Sequence, residues 1–371
     1  MRVRSRDLLR SVGAVVITSA FLIACATPQP QPKPAEHDAF QIPDELPRKP
    51  SKDDRFKIPS SVIVCSWNIK WFGSSVVSKY DFVTMADFVE ECDVVAIQEL
   101  QDPNQAAVIA ALLTELTNRG FNYDRRISAN TGYKNNSDST KHRYLERYAF
   151  LWDTNTISLK GTPRFVSAPA INNATYRQVP YVADFKVKND KDFDFRVLST
   201  HTVYNKAINA VRKVEIQAIH DWITTMPADG EENLIAIGDF NANPSGQPKH
   251  FVAIVKTNSL YRIPWYESAA AGEDSIRTTV PTKDSSTSPN YQKLPIYDHA
   301  LISSETSYAL SGNPMTLAGS HFGVWAFDND PWWKANGWSR GDIIKAVSDH
   351  RPIWIRLVSG AKDLDPAPTP H

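Results

Sequence analysis

The feature that most constrains this chain is a series of short apolar runs, each ending in a carboxylate, amide or imidazole. Ser61-Val62-Ile63-Val64-Cys65 leads to Trp67-Asn68, and Val94-Val95-Ala96-Ile97 leads to Gln98-Glu99. Phe195-Arg196-Val197-Leu198 ends in Ser199-Thr200-His201, and Leu234-Ile235-Ala236-Ile237 ends in Gly238-Asp239-Phe240-Asn241. Tyr297-Asp298-His299 and Ser348-Asp349-His350-Arg351-Pro352 complete the series. Such runs, rich in β-branched residues, read as buried strands. One polar strand end is ordinary. Six in series imply strands that deliver their last side chains to one shared sheet edge.

Amphipathic helices interleave with the early strands. One is expected over residues 79–91. Another starts at Asp102-Pro103, carries Val108, Ala111, Leu112 and Leu116 at helical spacing and stops at Gly120. A third runs from about Lys206 to Met226 with Ile208, Val211, Val214, Ala218 and Trp222 along one face, ending at Pro227-Ala228-Asp229-Gly230. Strand–helix alternation followed by strand-rich sequence argues an α/β sandwich, here one domain over residues 58–358. Residues 128–142, 270–293 and 312–342 read as loops, and 359–371 as a disordered tail. The last of the loops holds Trp325, Trp332, Trp333 and Trp338, which either stack on a ligand's rings or, the preferred reading, pin the loop to the domain.

The 371 residues hold 41 basic and 41 acidic side chains, so counterion release does not announce a nucleic-acid binder. The N-terminus reads as a targeting signal. Arg2, Arg4, Arg6 and Arg10 precede an apolar stretch from Val12 to Ala24, too short to span a bilayer comfortably. Without residues 1–24, which hold those four arginines and Asp7, the balance is 37 basic against 40 acidic, a net of −3. Leu22-Ile23-Ala24-Cys25 resembles the bacterial lipobox, which implies cleavage before Cys25 and lipidation of its thiol, with an ordinary signal peptide or a membrane anchor as the alternative. Ala26 after the cysteine resembles outer-membrane sorting, so the expected location is the bacterial cell envelope. Pro28, Pro30, Pro32, Pro34, Pro43, Pro47 and Pro50 make residues 25–57 an extended tether.

Export would permit Cys65 and Cys92 to pair. If Asn68 and Glu99 lie level on parallel neighbouring strands, however, the cysteines are offset by about 13 Å, beyond disulfide reach. Both therefore read as unpaired, buried hydrophobes.

Hydrolysis of a phosphodiester asks for a metal that neutralises developing charge, an activated water and an acid for the leaving oxygen. Glu99 is the best hard-oxygen ligand, Asn68 supplies a neutral oxygen beside it, and Asp349 is the second carboxylate near the site. His201 and His350 are the acid–base candidates, and nothing matches a zinc spacing. Together with Tyr144-Leu145-Glu146-Arg147-Tyr148-Ala149-Phe150-Leu151 and Gln98-Glu99-Leu100-Gln101-Asp102, the series resembles the endonuclease/exonuclease/phosphatase superfamily, most of all its deoxyribonuclease I branch, over roughly residues 60–358. That resemblance implies a four-layer sandwich of two mixed β-sheets packed face to face with helices outside. It implies Mg²⁺ as cofactor, with Mn²⁺ or Ca²⁺ as substitutes. It also pairs Glu146 with His201 and Asp298 with His350, and gives Asp239 and Asn241 to orienting the attacking water or binding metal and phosphate.

Tyr144 and Arg177 resemble the branch's sugar and phosphate contacts. Gln101 departs from it, standing where an arginine enters the DNA groove, and His299 stands where the branch has arginine; it reads as structural or as a loop contact. The resemblance implies a monomeric, non-sequence-specific endonuclease acting on DNA in preference to RNA. The alternatives on the same fold are a phospholipid head-group phosphodiesterase and a phosphatase.

Overall fold

The computed structural model describes residues 61–101, 107–132, 145–166, 176–188, 193–204, 209–224, 230–242, 261–262, 277–281, 296–303 and 322–358. Cys25, the tether, Tyr144 and the tail lie outside these residues. Among the described residues, twelve strands form two six-stranded sheets. The first sheet holds β1 (Ser61–Phe72), β2 (Val94–Leu100), β3 (Tyr123–Ile127), β4 (Arg147–Asp153), β11 (Phe322–Val324) and β12 (Ile353–Val358), in the order β11-β12-β1-β2-β4-β3. The second holds β5 (Ile157–Phe165), β6 (Tyr181–Val187), β7 (Asp194–His201), β8 (Leu234–Asp239), β9 (Tyr261–Arg262) and β10 (Asp298–Ser303), in the order β5-β6-β7-β8-β10-β9. Both sheets are mixed, since β1 and β2 run parallel, as do β7 and β8, while every other neighbouring pair is antiparallel.

Strand alternation explains both the core and the site. Side chains on one face of each strand meet between the sheets: Val62 and Val64 from β1, Val94 and Ala96 from β2, Phe150 and Trp152 from β4, Phe195 and Val197 from β7, Ile235 and Ile237 from β8. Burying each valine, isoleucine or phenylalanine among them stabilises the fold by about 1.5–3 kcal/mol. The next inward positions are Ser66 and Asn68, Gln98, Tyr148 and Glu146, Ser199 and His201, and Asp239. Every stripe thus runs from apolar to polar towards the same end.

Helices cover the outer faces. α1 (Phe82–Val89), α2 (Ala107–Asn118), α4 (Pro331–Ala335) and α5 (Arg340–Ala346) pack on the first sheet through Phe88, Leu112, Trp333 and Ile343. α3 (Asn209–Thr224) packs on the second. Asp81 caps α1, accepting from the N–H groups of Val83 and Thr84 at 3.1 and 3.2 Å. Among the described residues no helix is long and apolar enough to cross a membrane.

Three expectations are corrected. Cys65 and Cys92 form a disulfide, with Cα atoms 6.1 Å apart. The offset argument treated residues 92–99 as one extended strand, but Cys92 lies in the turn between α1 and β2, and the ladder places Asn68 level with Gln98. Both sulfurs remain buried in the core beneath the helices. The face of α3 is also displaced: Val211 and Val214 are exposed, and Ile216, Ile219 and Ile223 are buried instead. Glu215 and Arg212 turn inward to bond loop backbone, which rotates the helix off its purely apolar stripe. Finally, residues 322–346 are not all loop. They form β11, α4 and α5, with Trp333 buried and its indole N–H on the Phe327 carbonyl, while Trp325 stacks on Phe88. Trp332 and Trp338 stay substantially exposed.

Candidate active site

Three neighbouring strands of the second sheet deliver one row of groups. His201 pairs in register with Asp239, and Asp239 with Asp298. Gly238, one residue earlier, admits the close approach of β7: a Cβ there would lie 2.1 Å from the Thr200 carbonyl oxygen. From the first sheet come Asn68 at the end of the inward stripe of β1, Glu146 just before β4, and His350 just before β12.

Glu99 needs more than alternation, because Gln98 already takes the inward position. The β1–β2 ladder shifts register between Asn68 and Phe72, and the β2–β4 ladder between Ile97 and Leu100, so both strands bulge here. Within the bulges Trp71 and Glu99 take left-handed backbone angles, φ +49° and +58°. Asn241 is the other non-glycine residue of this kind among the described residues, at φ +47°. Each costs on the order of 1–3 kcal/mol. All three lie at this site, where the twist re-aims Glu99 towards Asn68.

Two histidine–carboxylate pairs result. His201 Nδ1 lies 2.8 Å from Glu146 Oε1, and His350 Nδ1 lies 2.8 Å from Asp298 Oδ2. Their free Nε2 atoms converge on one oxygen, Asp239 Oδ2, at 3.7 and 3.8 Å, and His201 Nε2 also lies 3.9 Å from Glu99 Oε1. Backbone bonds fix the rings. The His201 N–H donates to Tyr148 Oη, and the His350 N–H to Ser348 Oγ, whose hydroxyl donates to the Asn68 carbonyl. The Trp67 indole N–H donates to the His350 carbonyl at 2.9 Å.

Burial works against charge on both rings, yet the carboxylates outweigh it. Glu146, with Asp239 and Glu99, lifts His201 to about 10, and Asp298 and Asp239 raise His350 well above the ordinary imidazole range. Burial pushes Asp239 up to about 6, opposed by the two histidines. Burial also raises Glu146, opposed by His201. His299 is held differently. It is buried, bonds the Ala242 and Ile296 carbonyls through Nε2, and is pushed down to about 4 by desolvation, in keeping with a structural role.

Asn68 links the acids of both sheets, its Nδ2 donating to Glu99 Oε1 at 3.1 Å and to Asp239 Oδ2 at 3.0 Å. Its Oδ1 is buried with no hydrogen-bond partner. A half-turn of the amide would present that oxygen to the same space, so Glu99, Asn68 and Asp239 suit a hard divalent cation such as Mg²⁺. Asp239, Asp298 and His350 form a second possible metal cluster, with ligand atoms within 4.8 Å of one another, although Asp298 and His350 are already bonded to each other. Asp349 is engaged by Lys70 at 2.5 Å, and the second carboxylate beside Glu99 is Asp239. Asn241 holds a turn, its N–H donating to Asp239 Oδ1 and its Nδ2 to the Thr202 carbonyl. Arg177 is half-buried; its backbone N–H donates to Glu215 Oε1 at 2.6 Å, and its charge opposes the rise of Glu146. Glu215 also accepts from the Val203 N–H at 2.8 Å, and burial lifts its carboxyl to about 7.

Sequence reasoning missed the residues that hold the two sheets in line. Gln98 Nε2 reaches across the core to Ser199 Oγ at 2.9 Å, and its amide also bonds Ser66. The signal was present: Ser66, Gln98 and Ser199 share the inward parity of the apolar stripes.

Dyads straddling a pair of mixed sheets, above carboxylates suited to a hard cation, mark a phosphoester-cleaving class of sandwich. Residues 65–350 match the model of the "Endonuclease/Exonuclease/phosphatase family", and the chain belongs to that family. Its members are hydrolytic phosphodiesterases and nucleases that depend on divalent metals. Deoxyribonuclease gamma of Homo sapiens is 25% identical over 208 residues, covering 54% of this chain. The chain spans less than two thirds of that relative, 63%. The Mus musculus protein of the same name is 24% identical over 300 residues, covering 80% of this chain and 84% of its own. Among solved structures, D. rerio TDP2 complexed with a single-strand DNA product superposes with a TM-score of 0.51 at 14% identity, covering 80% of this chain and 98% of that one. At that identity the likeness bears on the fold alone.

Proposed function

We propose that this protein is a metal-dependent, non-sequence-specific endonuclease acting on DNA, tethered to the bacterial envelope through a lipid on Cys25. The observation that carries the chemistry is the convergence of His201 Nε2 and His350 Nε2 on Asp239 Oδ2, beside Glu99 and Asn68. Glu99 and Asn68 would hold the divalent ion, which when bound supplies charge neutralisation and polarises the phosphoryl oxygens. Asp239 orients a water and takes its proton as the oxygen attacks phosphorus. The phosphorus–oxygen ester bond breaks, and a protonated ring gives its Nε2 proton to the departing oxygen. Glu146 and Asp298 keep the Nδ1 protons in place, so each Nε2 points at substrate. Arg177 and Tyr144 bind backbone phosphate and sugar. Deoxyribonuclease gamma among the relatives supports DNA as the substrate. The Cys65–Cys92 disulfide supports maturation in an oxidising compartment and hence export.

The test is a panel of plasmid, single strands, RNA and sphingomyelin vesicles with Mg²⁺ or Mn²⁺. Plasmid nicking by the parent and its loss in Glu99→Gln are expected. An inert plasmid with head group released from the vesicles would replace this reading by the phospholipid one.

A further inference from the structure

We propose that Trp71 and Tyr204 form a nucleobase-binding rim on either side of the catalytic cluster, and that the preferred substrate is therefore single-stranded nucleic acid; this rests on the nuclease reading above. Both rings are large and held in water, Trp71 at 60% and Tyr204 at 69% exposure. They come from opposite sheets. Trp71 lies three residues beyond Asn68, and Tyr204 three beyond His201. Both adjoin the cluster along the chain: Glu99 Oε2 accepts the Trp71 N–H at 3.1 Å, and Glu99 Oε1 lies 3.9 Å from His201 Nε2.

Neither ring is exposed through slack. Trp71 occupies a left-handed backbone position inside a bulge, and the Tyr80 hydroxyl clamps it, donating to the Trp71 carbonyl at 2.8 Å and accepting the Gly73 N–H at 3.3 Å. Tyr204 meets Tyr297 edge-on with centroids 6.4 Å apart, and the residue before it is tied by its N–H to the buried Glu215. Holding two apolar faces in solvent on pinned backbone adds nothing to folding, whereas a planar ring at a fixed place is what a base stacks on. The Lys70 ammonium, paired with Asp349, lies 5.4 Å from the Trp71 centroid, a cation held near the ring. A duplex keeps its base faces covered by their neighbours. A single strand can turn one base to each ring. Insertion into a lipid surface would need a continuous apolar patch, whereas the Lys70–Asp349 ion pair lies beside the Trp71 ring.

The full-length protein, its Trp71→Ala, Trp71→Phe, Tyr204→Ala and Tyr204→Phe variants, and oligonucleotides of one sequence decide this. The substrates are single-stranded, duplex, and single-stranded with abasic spacers flanking the cut. Each alanine variant is expected to raise KM for the single strand about 10-fold or more, with less effect on duplex. Phenylalanine should restore most of the loss, and the parent's preference for based over abasic strand should vanish in the alanine variants. Equal losses on single strand and duplex, or losses confined to kcat, would overturn the stacking rim while leaving the nuclease intact. A parent that cuts neither form, and releases choline phosphate from sphingomyelin vesicles instead, would overturn both.

Discussion

The two histidine pairs are built alike and set in different company. Each straddles the sandwich in the opposite sense: His201 ends a strand of the second sheet and meets Glu146 of the first, while His350 adjoins the first and meets Asp298 of the second. Each sits beside an isolated bridge, Thr131 with Glu146 and Thr279 with His350. The bond lengths to the carboxylates are equal at 2.8 Å. The neighbours differ, since His201 also faces Glu99 at 3.9 Å, whereas Asp349 near His350 is occupied by Lys70. His201 thus adjoins both cation-suited acids, Glu99 and Asp239, and His350 adjoins Asp239. The difference teaches that the pairs are equal as proton carriers and unequal as neighbours of metal.

The largest expected effect comes from the group that makes the sides unequal. Glu99→Gln is expected to lower turnover by about 10³-fold or more, and EDTA to do the same to the parent; undiminished cleavage in EDTA would remove metal from the site. Next, His201→Ala and His350→Ala should each cost about 10²–10⁴-fold with an unchanged circular dichroism spectrum. If only one does so, the likeness of the pairs is broken. Glu146→Gln and Asp298→Asn should cost less, about 10-fold in kcat, while moving the alkaline limb of the pH–rate profile to lower pH, because each removes the charge that raises its histidine. A limb that stays put in both variants would mean the carboxylates do not set those protons.

His299 is the natural control, a buried histidine bonded to backbone carbonyls. Its folded-state pKa of about 4 lies below the unfolded value near 6.5, so the folded form binds fewer protons between those limits. Its contribution is fully present above pH 6.5 and is lost as pH falls towards 4, on the order of 3 kcal/mol. Denaturant titrations at several pH values should show a flatter acid profile for His299→Gln than for the parent. The smallest effect on catalysis belongs to Cys25→Ser, which should end incorporation of labelled fatty acid and leave turnover per molecule unaltered. Persisting label would exclude the lipid tether.

Much of the site was legible because it continues the core's own arithmetic. Asn68, His201 and Asp239 continue the even or odd positions of Val64, Val197 and Ile237, so the strands that revealed the sandwich also pointed at its polar end. What stayed hidden depends on departures from regular geometry. Glu99 itself was named from its chemistry, but the two bulges and the left-handed residue through which it enters are not foreseen by alternation. Cys92 reaches Cys65 because a turn, not a strand, leads into β2. The buried face of α3 followed Arg212 and Glu215 inward, against a pattern read from hydrophobicity alone. Trp71 and Tyr204 looked unremarkable until their exposure was known.

The bond from Gln98 to Ser199 has a mechanical consequence. With the Asn68–Asp239 bond and the two histidine pairs it acts as a dowel between plates that elsewhere meet through grease-like contacts, which resist separation far better than they resist sliding. A slip of one residue, about 3.3 Å along the strands, would exceed hydrogen-bond reach at both histidine pairs at once. Shear of the sandwich therefore disarms the molecule in a single step, before any strand is lost.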